Sequence, residues 1–219
     1  MVDLIRRLDA DQVRINLERV RGEIAAAGRS GQVEILAAVK YLPVDELGVL
    51  ADAGIGLLGE NRAQDLEAKA QGHPGLFTWD FIGHLQSRKV RQILPYVRYI
   101  HSVASDSALE QLGRHGTPQT EVLVEVNVAG EEGKSGIAPE ELAGFLDRCP
   151  VTVAGLMTMP PLAASAEQSR PHFAALRELA GRHGLAQLSM GTSQDYLVAV
   201  EEGATIVRLG TTLYTSKNP

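Results

Sequence analysis

The residue with the clearest chemical potential in this 219-residue chain is Lys40. It follows Ile35-Leu36-Ala37-Ala38-Val39, five apolar residues in a row between Gly31 and Pro43. A short, unalternating apolar run bounded by breakers suits a strand buried on both faces of a parallel sheet. A lysine at the exit of such a strand stands where α/β folds keep their active sites. Burial costs an ammonium free energy, so this position is expected to favour the neutral amine. A neutral amine is a nucleophile towards carbonyls and forms Schiff bases. The plain alternative is a lysine that snorkels from a strand end to water.

Two later segments could hold an anion. Ser189-Met190-Gly191-Thr192-Ser193 and Arg208-Leu209-Gly210-Thr211-Thr212 each close an apolar stretch. Glycine lets backbone approach an anion, hydroxyls donate, and helix starts have free N–H groups. Read plainly, they are two glycine turns with Ser193 and Thr211 as helix caps. Arg208, if it points inward, needs an acceptor, either a ligand ring nitrogen or a helix carboxylate. Asn61 and His84 follow Gly59-Glu60 and Gly83; a helix cap and a structural histidine are their plain roles. Glu60 can bond rim backbone, Arg88, Lys89 and Arg91 read as a solvated basic face, and Met157 and Met159 as core and lid packing. His101, His115, His172 and His183 lack companions at metal-ligand spacing. There is no GxSxG elbow, P-loop or GxGxxG after a strand.

The elements that must position these residues alternate. An amphipathic helix is expected over Leu8–Ala27, with Val13, Leu17, Val20 and Ile24 on one stripe and Asp9 with Gln12 as a capping pair. Eight strands are expected at Glu34–Lys40, Ile55–Gly59, Thr78–Ile82, Tyr99–Ser102, Glu121–Asn127, Thr152–Met157, Gln187–Met190 and Thr205–Gly210. Helical patterns lie between them at Val44–Ala53, Asn61–Gln71, Leu85–Leu94, Ser107–Arg114, Glu140–Arg148, Glu167–Arg182 and Gln194–Glu202. The even spacing marks no domain boundary, so residues 1–219 read as one domain. Eight βα units predict an α/β fold, a single (β/α)8 TIM barrel with an extra N-terminal helix that could cover the barrel bottom. A doubly wound open sheet is the alternative. The short chain implies short loops and an open pocket.

Composition narrows the classes. Apolar residues make up 44%, enough for a large core, and the net charge is −6. That argues against nucleic acid or an anionic membrane as partner. The single cysteine, Cys149, excludes an intrachain disulfide and suits a reducing, cytoplasmic setting. The N-terminus lacks the apolar region of a signal peptide, and no run is long enough for a membrane span.

Seven motifs in one order resemble the YggS/PROSC group, the pyridoxal phosphate homeostasis proteins: AAVKYLP at Lys40, LLGENRAQ at Asn61, WDFIGHLQSRK at His84, EVNVAGEEGKSGI ending at Ile137, GLMTMPP at Gly155–Pro161, LSMGTSQD at Leu188–Asp195 and TIVRLGTTLY ending at Tyr214. The resemblance implies a barrel related to the N-terminal domain of bacterial alanine racemase, with pyridoxal 5'-phosphate (PLP) as cofactor in a Schiff base on Lys40. It places Ser189, Met190, Gly191, Ser193, Gly210 and Thr211 around the phosphate, Arg208 at the pyridine nitrogen, and Asn61 and His84 along the pocket. The family usually has Ser or Thr before the lysine and Thr after it; Val39 and Tyr41 depart from this.

The function implied is PLP binding in vitamin B6 homeostasis: buffering a reactive aldehyde and supplying apoenzymes, with effects on amino acid balance. A PLP-dependent amino acid racemase is the enzyme alternative. Racemases of this barrel class use a second base from an additional β domain and a partner subunit, a part this chain is expected to lack. A Schiff-base aldolase acting on a sugar phosphate could use the same lysine and cradle. A monomer suits the open, short-looped barrel.

Overall fold

Strand and helix alternate around a closed barrel of eight parallel strands in chain order. The computed structural model describes residues 4–162 and 164–215. The strands are β1 (Glu34–Ala38), β2 (Leu57–Glu60), β3 (Thr78–Phe81), β4 (Tyr99–Val103), β5 (Glu121–Glu125), β6 (Thr152–Met157), β7 (Gln187–Thr192) and β8 (Ile206–Leu209). The helices are α1 (Ala10–Ala26), α2 (Leu47–Asp52), α3 (Ala63–Gly72), α4 (Val90–Ile93), α5 (Asp106–His115), α6 (Leu142–Arg148), α7 (Arg170–Arg182), α8 (Tyr196–Glu201) and α9 (Thr211–Tyr214). The closed sheet settles the choice between barrel and open sheet. No helix among the described residues is long and apolar enough to cross a membrane.

Strand parity sorts the side chains. Leu36, Tyr99, Leu123, Met157 and Ile206 form one apolar layer inside the barrel. Their neighbours Ala37, Ile100, Val122, Val124, Leu156 and Val207 face the helices in the larger outer core. Residues two apart share a face. Arg208, His101 and Glu125 therefore stand above Ile206, Tyr99 and Leu123 on the lumen side, and Lys40 follows Leu36 and Ala38.

The first helix does not cover the barrel bottom. Asp9 caps α1, its carboxylate accepting from Asp11 and Gln12 backbone N–H groups. The stripe Val13, Leu17, Val20 and Ile24 is buried in the outer core, each side chain contributing about 1.5–3 kcal/mol. The helix packs against α9, α2 and α8, and Asn16 Nδ2 donates to the Leu213 and Thr215 carbonyls at 3.0 and 3.2 Å. The physical reason is that α9, four residues long, cannot cover the seam between β8 and β1. α1 fills that place in the outer ring.

Candidate functional site

The first strand delivers Lys40 to the C-terminal rim. β1 pairs with β8 through Ala37 and Leu209, which sets the end of β1 beside Gly210. A Cβ on Gly210 would lie 3.8 Å from the Ala38 carbonyl oxygen. Tyr214, from α9, donates its hydroxyl to that same carbonyl at 3.2 Å. Below Lys40, Val39 is fully buried; its N–H donates to Gly59 and its carbonyl accepts from the Lys69 ammonium at 2.7 Å. Lys40 itself is exposed, its Nζ 4.7 Å from the centre of the Tyr41 ring. The burial expected to favour a neutral amine is therefore missing: the side chain leaves the strand above the apolar layers, where water reaches it.

The seventh and eighth strand ends meet. β7 takes three steps, Ser189 to Thr192, where β8 takes two, Ile206 to Arg208. This bulge carries Gly191 at φ +90°, and a Cβ there would lie 2.6 Å from Ala199 Cβ and 3.0 Å from Tyr196 Cα. Only glycine fits both the conformation and the space. Ser193 Oγ accepts from the Gly210 and Thr212 backbone N–H groups at 3.2 and 3.4 Å. The two glycine–hydroxyl loops thus form one unit, and Thr211 stands exposed between the bonded residues. The Met190 side chain is buried in the outer core.

Arg208 points into the lumen and is 6% exposed. One guanidinium nitrogen donates to Ser189 Oγ and to the Ser189 carbonyl at 2.8 Å. The other donates to the Thr158 carbonyl at 3.0 Å and lies 2.9 Å from Met159 Sδ. Burial lowers its pKa to about 10 against the opposing pull of Glu125 and Asp195, so it is cationic at neutral pH. No helix carboxylate pairs with it among the described residues. Glu125, buried on β5, has its pKa pushed up by burial, while the charges of Arg208 and His84 pull the other way.

Asn61 and His84 share a neighbouring cavity of about 560 Å³, walled also by Arg62, Gln86, Arg88 and Lys89. Lys40 does not line it; the cavity flanks the mouth on the side of β2 and β3. Gly83 lets their two loops touch, since a Cβ there would lie 2.0 Å from the Asn61 carbonyl oxygen. Asn61 does not cap α3, whose N-cap is Arg62. Its Oδ1 is buried without a hydrogen-bond partner. His84 is exposed, with Nδ1 3.4 Å from Ser135 Oγ. Glu60 is buried and accepts from the Asn61 and Arg62 N–H groups at 2.5 and 3.2 Å, with Lys69 paired to its other oxygen.

Sequence reasoning missed the polar lumen. His101 and Asp80 sit mid-strand and Glu125 ends β5, each beside apolar residues, and that break in the apolar run was the available signal. His101 looked isolated because its partners, Asp80 and Ser189, come from β3 and β7.

Fold and site together define a class: an α/β barrel with an amine at the first strand exit and a glycine–hydroxyl cradle where the last two strands meet. No family model matches the chain. It is 38% identical to the pyridoxal phosphate homeostasis protein of Aquifex aeolicus, across 90% of this chain and 93% of that one. The protein of the same name from Pseudomonas aeruginosa is 36% identical over 91% and 92%. Among solved structures, PipY of Synechococcus elongatus, solved with PLP bound, superposes with a TM-score of 0.79 at 29% identity, covering 93% of this chain and all of that one. Alanine racemase of Corynebacterium glutamicum, at 17% identity and TM-score 0.72, shares the fold; this chain spans 65% of its length. The chain belongs to the pyridoxal phosphate homeostasis protein family.

Proposed function

We propose that this chain binds PLP reversibly in the barrel mouth, as a Schiff base on Lys40, and buffers or delivers it within cellular vitamin B6 homeostasis. PLP supplies an aldehyde that condenses with a primary amine. The residues fit such a ligand. Lys40 offers an accessible amine at the exit of β1, and the joined loops of Ser193 and Gly210 offer hydroxyls and glycine backbone without a blocking side chain. The observation that carries the reading is Arg208, a guanidinium fixed in the lumen and cationic at neutral pH. A cation facing a pyridine nitrogen disfavours its protonation, which makes the ring a poorer electron sink. That limits turnover of amino acids; the 38% identity to a pyridoxal phosphate homeostasis protein over 90% of this chain favours a carrier over a racemase.

The single cysteine and net charge of −6 support a cytoplasmic protein with no nucleic acid or membrane partner, and the open barrel suits a monomer. Amino acids able to compete for the aldehyde, and PLP-dependent apoenzymes, are its expected partners. Delivery is tested by mixing PLP-loaded protein with a PLP-dependent apoenzyme: activity should return faster than from the same total PLP bound to serum albumin. Equal or slower return contradicts delivery and leaves buffering.

A further inference from the structure

Between Arg208 and the barrel floor runs a continuous polar chain that the cofactor reading does not use. Arg208 Nη1 donates to Ser189 Oγ. Ser189 Oγ lies 2.8 Å from His101 Nδ1, and His101 Nε2 lies 3.1 Å from Asp80 Oδ2. Asp80 also accepts from Arg98 at 2.8 and 3.2 Å and from the Tyr99 N–H at 3.2 Å. Arg98 pairs at 2.7 Å with Glu34, at the start of β1. Ser189, His101 and Asp80 are fully buried. Such a network in an apolar barrel is costly unless every member is satisfied.

Hydrogen-bond bookkeeping gives the chain a direction. Asp80 accepts from the guanidinium of Arg98, an acceptor's role that an ionised carboxylate fills. Facing that carboxylate, His101 Nε2 must carry a proton. A neutral ring then leaves Nδ1 bare, and Ser189 must turn its O–H toward it. The serine lone pairs are left facing Arg208. Each residue thereby fixes the orientation of the next.

The geometry points to Asp80, His101 and Ser189 as a positioning relay that holds the Arg208 guanidinium in register for the ring of bound PLP. The inference rests on the PLP reading above. His101 and Asp80 touch no ligand in this arrangement; they act through Ser189, and this separates them from residues lining the mouth.

The test is a double-mutant cycle read by PLP affinity and by the position of the visible absorption band, together with one measurement that needs no ligand. Ser189→Ala should weaken PLP binding about tenfold and move the band, the cost of losing a hydrogen bond to a charged group. Ser189→Thr, which keeps the hydroxyl, should restore most of both. His101→Gln should weaken binding in the parent protein and have no further effect in the Ser189→Ala background, because its influence passes through that hydroxyl. Equal effects in both backgrounds, or none in the parent, overturn the relay. If His101→Gln does not fold, Asp80→Asn completes the same cycle. Nitrogen-15 NMR of the PLP-free protein at pH 7 should find His101 as the Nε2–H tautomer; an imidazolium or the Nδ1–H tautomer also overturns it. A parent protein that shows this tautomer but binds no PLP contradicts the cofactor reading instead.

Discussion

Lys69 reaches from α3 across the rim to the carbonyl oxygen of Val39, 2.7 Å away, so a buried ammonium is tied to the peptide just ahead of Lys40. The same ammonium pairs with Glu60, and both side chains are at most 5% exposed. Removing one partner of a buried pair leaves the other uncompensated and costs about 3–5 kcal/mol. Lys69→Met should therefore lower unfolding free energy by about that amount, measured by urea denaturation. Adding Glu60→Gln should recover part of the loss; a single variant as stable as the parent contradicts the account of this corner.

Gly191 has no room for a side chain and sits at φ +90°. Gly191→Ala should cost about 1–3 kcal/mol of stability from backbone strain alone. It should also lower PLP affinity by displacing the loop that ends in Ser193, whereas Gly28→Ala, at φ +74° but with open space around it, should leave PLP affinity unchanged. Isothermal titration of the two variants side by side separates strain from loss of the cradle.

Acid should destabilise the fold through His101. Burial lowers its pKa from 6.5, outweighing the opposite pull of Asp80. In the unfolded chain the imidazole takes up a proton near pH 6.5, and the native state refuses it. Protons then bind more to the unfolded state, so stability falls as pH drops below that value. Asp80 works in the same sense at lower pH. Burial would raise its pKa, but hydrogen bonds from His101 and Arg98 hold it below the usual carboxylate value, so its contribution is lost as pH falls through the lowered value. Glu125, pushed up by burial, opposes them. His101→Gln should flatten the decline of Tm between about pH 6.5 and 5 in differential scanning calorimetry. A slope parallel to the parent's contradicts the buried neutral histidine.

A carrier should not exchange amino acid α-protons at catalytic rates. With PLP bound and alanine present in D2O, NMR should detect no α-deuterium beyond that of free PLP. Rapid exchange that disappears in Lys40→Ala would make the protein a racemase.

Much of the fold was legible because barrel strands buried on both faces write themselves as short apolar runs between glycine and proline breakers. Each of the eight expected strands lies within two residues of its observed bounds at either end. Helix starts were as legible, within two residues, although Val44–Glu46, Ser87–Lys89, Pro139–Glu141 and Ala166–Ser169 begin as 3-10 turns. The positions of Lys40, Asn61, His84 and Gly210 were legible because each stands within three residues of a strand end. Ser193 does not cap the helix that follows it, whose N-cap is Asp195; its hydroxyl reaches across to Gly210 and Thr212 instead. The Asp80–His101–Ser189 contacts could not be read, since they join three strands distant in sequence and depend on the barrel's register. The expected burial of Lys40 failed for a related reason: exposure at a strand end depends on how far the loops rise around it.

The most direct test of the central claim is reduction of PLP-treated protein with borohydride, followed by peptide mass spectrometry. A yellow protein should lose its colour and carry the pyridoxyl phosphate mass on Lys40, with Lys40→Ala failing to develop the visible band. An adduct on another lysine, with Lys40 unmodified, would contradict the account.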